Sequence, residues 1–244
     1  MSTKTAVILV AGTGSRLHEF GRDQPKSLLE VGGETILGRA LRILMDYGVE
    51  RVVLATGYKE GAVRAAVRRS PIEVTLCFND RYASTQNCVS LARCSSVVHG
   101  QAFFKLDGDV IFDARVLPRL DGSSSELAVA VNRAAKLDPE TMKVTVEAGD
   151  RISSFGKHIP LSRAVGESIG IERLSSRASE RLFKGLARAV ELGRSDLYYE
   201  DIYSELISKG ELRAEAVDVS DLDWVEIDTP EDLRRARIQF ESRR

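Results

Sequence analysis

Cysteine and histidine are scarce in this sequence, and their scarcity excludes several kinds of site. The three cysteines, Cys77, Cys88 and Cys94, are odd in number and lack Cys-x-x-Cys spacing, so we expect reduced structural thiols. The three histidines are far apart, and no two of them have the spacing of a zinc site. Neither a disulfide framework nor a zinc centre therefore organises the chain.

Long apolar runs and an excess of positive charge are also missing. No apolar run approaches the length that spans a bilayer, and the first residues lead into a predicted strand without the layout of a signal peptide. The formal net charge of −1 leaves no general basic surface for nucleic acid, so any phosphate site must be local. We therefore expect a cytoplasmic globular protein with no nucleic-acid partner and no membrane insertion.

The sequence does contain a regular alternation of predicted strands and helices. Buried strands are predicted at residues 6–10, 51–55 and 74–78. A helix from about residue 35 to Gly48 and a second over residues 60–68 separate them. This order predicts the α/β class, with a doubly wound, mostly parallel, Rossmann-like sheet. Ligands of such sheets bind beyond the carboxyl ends of the strands.

The alternation changes after residue 132. Residues 143–147 and 151–156 each alternate apolar and polar side chains about a short turn, which is typical of a β-hairpin. We interpret this hairpin as a small inserted antiparallel lobe over the substrate site. Residues 166–171 are then expected to return to the main sheet as a further strand. Further helices are expected over residues 113–120 and from about residue 179. On the first helix, one buried stripe is expected to include Leu37, Leu41, Leu44 and Met45.

The first strand is followed by a glycine-containing loop within residues 9–26, which read LVAGTGSRLHEFGRDQPK. The loop starts with four residues, Ala11, Gly12, Thr13 and Gly14. The two glycines let backbone N–H groups approach an anion. Arg16 adds a forked cation suited to phosphate oxygens, and Lys26 adds a point charge after the stiff backbone of Pro25. The loop therefore predicts a triphosphate site.

Two commoner glycine loops do not fit these residues. A dinucleotide fingerprint needs glycine or alanine at position 17, which is Leu17. A P-loop needs Gly-Lys followed by serine or threonine, and that sequence does not occur here. An ordinary tight turn is the alternative for the glycine pair alone. The complete arrangement, Gly-x-Gly-x-Arg-x(8)-Pro-Lys, is much more specific.

This arrangement resembles that of the nucleotidyltransferases that join a nucleoside triphosphate to a phosphorylated small molecule and release pyrophosphate. The resemblance runs over residues 6–236 and is strongest to cytidylyltransferases that act on phosphocholine or 2-aminoethylphosphonate. It implies a Mg²⁺-dependent enzyme whose partners are CTP and a phosphorylated or phosphonate acceptor, and it leaves a homodimer open. Arg16, Lys26 and Lys157 are the implied catalytic residues.

We expect a single nucleotidyltransferase domain over residues 1–244. Its nucleotide-binding half covers about residues 1–132, and an acceptor-binding lobe covers about 133–200. A strand and helix over residues 212–241 carry an aspartate of the metal site.

Two carboxylates follow a predicted strand at Asp107 and Asp109 and point the same way if the extension persists. Because acids held this close repel, metal binding is one explanation and an aspartate-rich turn is the other. Near the C-terminus, Thr229 and Asp232 are explained as a helix capping box, which leaves Asp228 as a functional candidate. The resemblance implies that Asp109 and Asp228 bind Mg²⁺ and that Asp107 lies near the ribose or the second coordination shell.

A polar segment over residues 78–87 carries Asn79, Thr85 and Asn87. These side chains offer donors and acceptors that suit a pyrimidine base, and the related enzymes place this loop over the nucleotide. Alternatively, Thr85 or Asn87 caps the following helix.

Two further groups are acceptor-site candidates. Lys157 follows a glycine at a strand end, where it meets the acceptor's phosphate or is simply solvated. Tyr198, Tyr199 and Glu200 open a predicted helix, and the acid there suits the helix dipole. Aromatic faces with a carboxylate also bind alkylammonium groups, and the choline-phosphate enzymes carry such a pair near here.

Two other functions compete. An inositol- or sugar-1-phosphate nucleotidyltransferase is the first, although residues 16–20 read Arg-Leu-His-Glu-Phe where sugar enzymes tend to have Leu-x-Pro-Leu-Thr. The second is a nucleotide-binding regulatory subunit without catalysis. The complete set of Arg16, Lys26, Asp109 and Asp228 argues against the regulatory subunit.

Overall fold

The structure is a computed structural model that describes residues 3–17 and 24–241. Residues 18–20, which were part of the comparison with the sugar enzymes, lie outside the described residues. Among the residues described, no helix combines the length and the apolar character needed to cross a membrane.

Thirteen strands occur in the described residues, and most of them are short. In chain order they are β1 (Thr5–Val10), β2 (Glu30–Val31), β3 (Glu34–Thr35), β4 (Arg51–Thr56), β5 (Glu73–Phe78), β6 (Phe103–Asp107), β7 (Val110–Phe112), β8 (Leu127–Asn132), β9 (Lys143–Val146), β10 (Ile152–Gly156), β11 (Gly166–Leu174), β12 (Ala214–Asp218) and β13 (Trp224–Glu226).

Eight α-helices occur in the same residues. They are α1 (Ile36–Tyr47), α2 (Glu60–Val67), α3 (Asn87–Ala92), α4 (Ser95–Val98), α5 (Val116–Asp121), α6 (Ser176–Glu191), α7 (Tyr199–Ser208) and α8 (Pro230–Glu241).

Nine of the strands form one sheet, with the order β10-β9-β11-β6-β1-β4-β5 and with β8 and β12 joined through β11. β5, β4, β1 and β6 are parallel neighbours, and β11 runs antiparallel to β6 and β8. The mostly parallel, Rossmann-like sheet is therefore confirmed. The predicted hairpin is present as β9 and β10, and it extends the edge of this sheet because β9 also pairs with β11.

Helices cover both faces of the sheet, and successive side chains of β1 belong alternately to two apolar clusters. Val7 contributes to one apolar cluster, whereas Ala6 and Ile8 contribute to the other. On α1, the predicted apolar stripe includes Leu37, Leu41 and Leu44, all of which are buried. Met45 was expected in the same stripe, but it is 38% exposed. Residue 45 follows residue 44 by one position on the helix and therefore points about 100° away from it.

Several element boundaries also differ from the prediction. α6 begins at Ser176, earlier than the predicted position 179, because the Ser175 side chain accepts a hydrogen bond from Ala178 N at 3.2 Å and caps the helix. α5 begins at Val116 instead of residue 113. The three cysteines are free and buried, as expected.

Candidate functional site

Two parallel neighbours, β1 and β6, end side by side and form the floor of the site. Leu9 pairs with Asp107, and Gly108 N donates a hydrogen bond to Leu9 O at 3.0 Å. A Cβ atom on Gly108 would lie 2.5 Å from Leu9 O, so only glycine allows the chain to turn here. Asp107, at the end of β6, and Asp109, two residues beyond it, therefore lie at the same sheet edge as the start of the glycine loop after β1.

Lys26 lies between the two predicted metal-binding aspartates. Its Nζ is 2.8 Å from Asp109 Oδ2 and 2.5 Å from Asp228 Oδ1. Arg16 Nη1 lies 2.9 Å from the other oxygen of Asp228. Four residues that are far apart in the sequence thus form one charged cluster, as the resemblance implied.

The position of Asp228 follows from a short antiparallel ladder. β13 pairs with β7, which directly follows Asp109, and Ile227 N donates to Asp109 O at 3.0 Å. The predicted capping box is present, since Thr229 N donates to Asp232 Oδ2 at 2.9 Å and Asp232 N donates to Thr229 Oγ1 at 3.2 Å. The cap occupies Asp232, and Asp228 is left to face Lys26.

A cavity of about 90 Å³ opens between the glycine loop and this cluster. Its lining includes Gly12, Gly14, Lys26 and Asp109. A larger hollow of about 450 Å³ lies between α2 and β5 and is lined by other residues, including Arg64 and Leu76. We assign the functional site to the smaller cavity because it contains the charged groups.

The charges of the cluster stabilise one another. Desolvation disfavours the ammonium of Lys26, but Asp109 and Asp228 outweigh that effect and raise the pKa of Lys26. Desolvation likewise opposes ionisation of Asp228, yet the Lys26 ammonium lowers the pKa of Asp228. Both groups are therefore charged at neutral pH, and they neutralise each other.

The acidic residues of the cluster fit a hard divalent cation. Asp109, Glu226 and Asp228 each place a carboxylate oxygen within 4.8 Å of the others. Glu226 lies at the surface of the cleft, where desolvation raises the pKa of its carboxyl to about 9, and Asp109 and Asp228 add to that shift. A cation held by these carboxylates would offset the repulsion among them.

Lys157 interacts electrostatically with the charged cluster. Its Nζ is 3.2 Å from Glu140 Oε2 and 5.3 Å from the centre of the Tyr198 ring. Its charge helps to lower the pKa of Asp228, and the charge of Arg16 acts on Lys157. The structure therefore places Lys157 and Tyr198 within the electrostatic reach of the central cluster.

The three predicted base-binding side chains form bonds within the protein. Asn79 is fully buried, and its Nδ2 donates to Thr85 Oγ1 at 3.1 Å and to Ser90 Oγ at 3.0 Å. Asn87 Oδ1 accepts from Tyr199 N at 2.9 Å. The capping expectation was wrong, because Gln86 occupies the N-cap of α3 and no side chain caps that helix. These side chains shape the loop, and base recognition by them stays a prediction.

Tyr199 and Glu200 do not line the cleft, because both are buried. The ammonium of Lys105 lies 3.7 Å from the centre of the Tyr199 ring, and its charge acts on Glu200. The aromatic and acidic groups predicted to hold an alkylammonium thus surround an ammonium of the chain itself. Of the three predicted residues, Tyr198 alone is close to Lys157.

Two charged residues of this region received no role from the sequence. Glu226 could have been identified because it precedes Asp228 by two positions and shares its face in an extended segment. Lys105 could have been noticed as a cation within the apolar strand sequence Phe-Phe-Lys-Leu, since a buried lysine requires a partner.

Comparison with known proteins gives relatives of one kind. The chain is 30% identical over 246 residues to the CMP-5'-(3-aminopropyl)phosphonate synthase of Streptomyces rubellomurinus, covering 96% of this chain and 38% of that protein. It is 26% identical to the CTP:phosphoglutamine cytidylyltransferase of Campylobacter jejuni, covering 93% of this chain and 97% of the relative. The chain thus spans 38% of the Streptomyces protein, and it spans 51% and 50% of two further relatives.

A solved structure confirms the fold. The inositol-1-phosphate CTP transferase from T. maritima superposes with a TM-score of 0.81 and 22% identity, covering 99% of this chain and 96% of the other. The sequence profile of the MobA-like NTP transferase domain matches residues 6–157, which contain the glycine loop, Lys26, Asp107 and Asp109. With the site and the profile in agreement, this chain belongs to the MobA-like NTP transferase domain family.

Proposed function

We propose that the protein is a Mg²⁺-dependent cytidylyltransferase. It transfers CMP from CTP to a phosphonate or phosphate group of a small acceptor and releases pyrophosphate. The observation that carries this proposal is the position of Lys26 between Asp109 and Asp228, beside the glycine loop. The relatives whose names specify CTP or a CMP product support cytidine as the base.

The reaction needs positioning and charge neutralisation more than covalent help. An anionic oxygen of the acceptor attacks the α-phosphorus of CTP in line, and a bond forms between them. The bond from that phosphorus to the β-phosphate oxygen breaks, and pyrophosphate leaves with the electron pair. The attacking oxygen is already ionised near neutral pH, so the step requires no strong general base.

Each cation of the cleft has a role in this step. Arg16 binds the β- and γ-phosphates through its fork, and Lys26 stabilises the charge that accumulates on the α-phosphate. Lys157 receives the acceptor's anionic group, since its charge acts on Asp228 of the cluster and its pKa is raised. The backbone of residues 11–14 supplies N–H groups to the triphosphate.

Asp109 and Asp228 would hold the magnesium ion, and the Glu226 carboxylate lies within reach of the same point. A bound Mg²⁺ neutralises phosphate charge and polarises the reacting phosphoryl group. The carboxylates that face Lys26 in the structure become available to the cation when the ammonium turns to the phosphates. The ion pairs of Lys26 and Arg16 thus keep the acidic groups compensated before substrate arrives.

The acceptor is proposed to be a small phosphonate or phosphate ester. The named relatives act on aminopropyl- and aminoethylphosphonate, on phosphoglutamine and on inositol phosphate, so the shared feature is the anionic head. Phosphocholine is less favoured, because Lys105 already fills the aromatic and acidic surroundings of Tyr199.

A substrate panel tests the proposal. CTP, UTP, GTP and ATP are each combined with 2-aminoethylphosphonate, phosphoglutamine, phosphocholine and inositol 1-phosphate, and pyrophosphate release is measured with and without Mg²⁺. We expect turnover with CTP and a phosphonate that is lost when Mg²⁺ is chelated. Preference for another nucleotide would contradict the cytidine assignment. CTP binding without turnover on any acceptor would favour the regulatory alternative.

A further inference from the structure

A second charged cluster lies beneath the site and is almost completely enclosed. Lys105 on β6 has no solvent exposure, and its Nζ lies 3.0 Å from Glu172 Oε2 and 3.1 Å from Asp107 Oδ1. The same ammonium donates to Gly170 O at 3.2 Å and contacts the Tyr199 hydroxyl. Of the three side chains Lys105, Glu172 and Asp107, Asp107 alone is partly exposed, at 26%.

Asp107 is held from several directions. Lys105 binds one of its oxygens, and the Tyr199 hydroxyl donates to the other at 3.2 Å. Gly170 leaves the space that the carboxylate occupies, because a Cβ atom there would lie 2.3 Å from Asp107 Oδ2. The pairing of β11 with β8 shifts register between Ser168 and Glu172, so an irregular stretch of strand brings Gly170 to this position.

A buried ammonium of this kind has a large desolvation cost, and simple packing does not require it. A leucine or methionine would fill the same space in the strand without any need for partners. Charged groups that orient a neighbouring side chain, however, are worth such a cost at a functional site. The Lys105 ammonium and the Tyr199 hydroxyl both bond to Asp107, the residue next to Gly108 and Asp109, which line the cleft.

We propose that Lys105 is a positioning residue. Its ammonium, together with Tyr199 and the space left by Gly170, fixes the Asp107 carboxylate and thereby the turn that presents Asp109 to Lys26. The turn is short, since Gly108 alone separates the two aspartates and its N–H is bonded to Leu9 O. In this proposal, an Asp107 side chain that is no longer held allows the turn to shift, and Asp109 shifts with it. In its kinetic part, this inference rests on the proposed cytidylyl transfer.

The test separates positioning from simple charge balance. In Lys105→Met, Glu172 loses its cation, so we expect a lower Tm and a fall in kcat/KM for CTP of roughly 10- to 100-fold, the scale for groups that orient a site. In the double variant Lys105→Met/Glu172→Gln, the uncompensated carboxylate is also removed. We expect its Tm to return toward the wild-type value while kcat/KM stays low.

Arg173→Met is the matched control. Arg173 is also a buried cation of the same sheet, but it donates to the backbone carbonyls of Leu120, Ser123 and Ser125, away from the cleft. We expect this variant to lose Tm while kcat/KM, measured at a temperature at which it is folded, stays within about twofold of wild type, since distant sites act independently.

Recovery of both Tm and kcat/KM in the double variant would overturn the proposal, because Lys105 would then serve only to compensate Glu172. If Lys105→Met does not fold, the double variant decides the question alone. A crystal structure of the double variant gives a readout that does not depend on turnover: a displaced Asp107 carboxylate supports positioning, and an unmoved one refutes it. Failure of the wild type to release pyrophosphate in the substrate panel would count against the proposed function only.

Discussion

Two ammonium groups in this protein each lie between two carboxylates, and their surroundings differ. Lys26 faces Asp109 and Asp228 at the mouth of the cleft, where the partners are about a quarter exposed. Lys105 faces Asp107 and Glu172 beneath the sheet edge, where neither Lys105 nor Glu172 is exposed at all. The ion pairs of Lys26 are accessible to a competing phosphate or cation, whereas those of Lys105 are closed to exchange.

The ion pairs of Lys26 and those of Lys105 therefore have different roles. A partly exposed ion pair, such as that of Lys26, can be exchanged for contacts with a ligand, because water and ions replace the broken contacts at little cost. A buried ion pair, such as that of Lys105, holds its side chains in one arrangement, because breaking it leaves a buried charge without a partner. We therefore expect activity to depend on Lys26 with little effect on stability, and stability to depend strongly on the surroundings of Lys105.

The largest effect is expected for Lys26→Ala. Removal of a preorganised cation that stabilises the transition state lowers kcat by roughly 10²- to 10³-fold. Asp109→Ala should give a loss of the same scale, since it removes a ligand of the proposed metal site. Pyrophosphate release measures both. Asp221→Ala is the control, because its exposed pair with Arg119 lies outside the cleft. Near-normal turnover in Lys26→Ala would refute the catalytic role.

The next prediction concerns the buried carboxyls near Lys105 and the pH dependence of stability. Burial raises the pKa of Glu200 from 4.5 to about 8, so the folded protein keeps this proton while the unfolded chain has lost it. Stability therefore falls as the pH rises from about 5 to 8 and levels off above that range, by an amount on the order of a few kcal/mol. Glu172, whose pKa burial raises to about 7, contributes in the same direction.

Urea unfolding of wild type and Glu200→Gln at pH 5 and pH 8 checks this prediction. The glutamine cannot ionise, so the variant should gain stability relative to wild type between the two pH values. An equal dependence on pH in both proteins would show that Glu200 is ionised in the folded state.

The third prediction compares the effect of Mg²⁺ on wild type with its effect on Lys26→Met. In Lys26→Met, the two aspartates lose their internal cation, so Mg²⁺ should bind more tightly and raise Tm further than it does in wild type. A tenfold gain in affinity corresponds to about 1.4 kcal/mol of added stabilisation at saturating concentrations. Asp109→Asn is the control in which the Mg²⁺ effect should be weakest. Identical shifts in wild type and Lys26→Met would mean that Lys26 and the cation do not compete.

The sequence predicted the charged cluster around Lys26 much better than the one around Lys105. Arg16, Lys26, Asp109 and Asp228 could be identified because each ends or follows a predicted element at one sheet edge, where parallel strands bring loops together. Tyr199 was assigned to an acceptor pocket because aromatic faces with a carboxylate bind alkylammonium groups and the choline-phosphate enzymes carry such a pair near here. The sequence could not show that the ring points inward toward Lys105, since that direction depends on how α7 packs against β6 and β11.

The smallest effect is expected for Tyr199→Phe. The ring stays over the Lys105 ammonium, and only the hydroxyl that contacts Lys105, Asp107 and Glu172 is removed. We expect a loss of about 1 kcal/mol in the free energy of unfolding, the net contribution of a typical hydrogen bond. The fall in kcat/KM should be smaller than in Lys105→Met, because the Lys105 contact with Asp107 remains.

Tyr203→Phe is the matched control for this variant. Tyr203 is equally buried and packs edge-on against Tyr199 at 5.4 Å between ring centres, but its hydroxyl finds no hydrogen-bond partner within the described residues. Its removal should leave stability unchanged or raise it, because an unsatisfied buried hydroxyl is unfavourable. Equal changes in the two variants, measured by urea unfolding and by pyrophosphate release, would show that the hydrogen bond from Tyr199 to Asp107 contributes nothing specific.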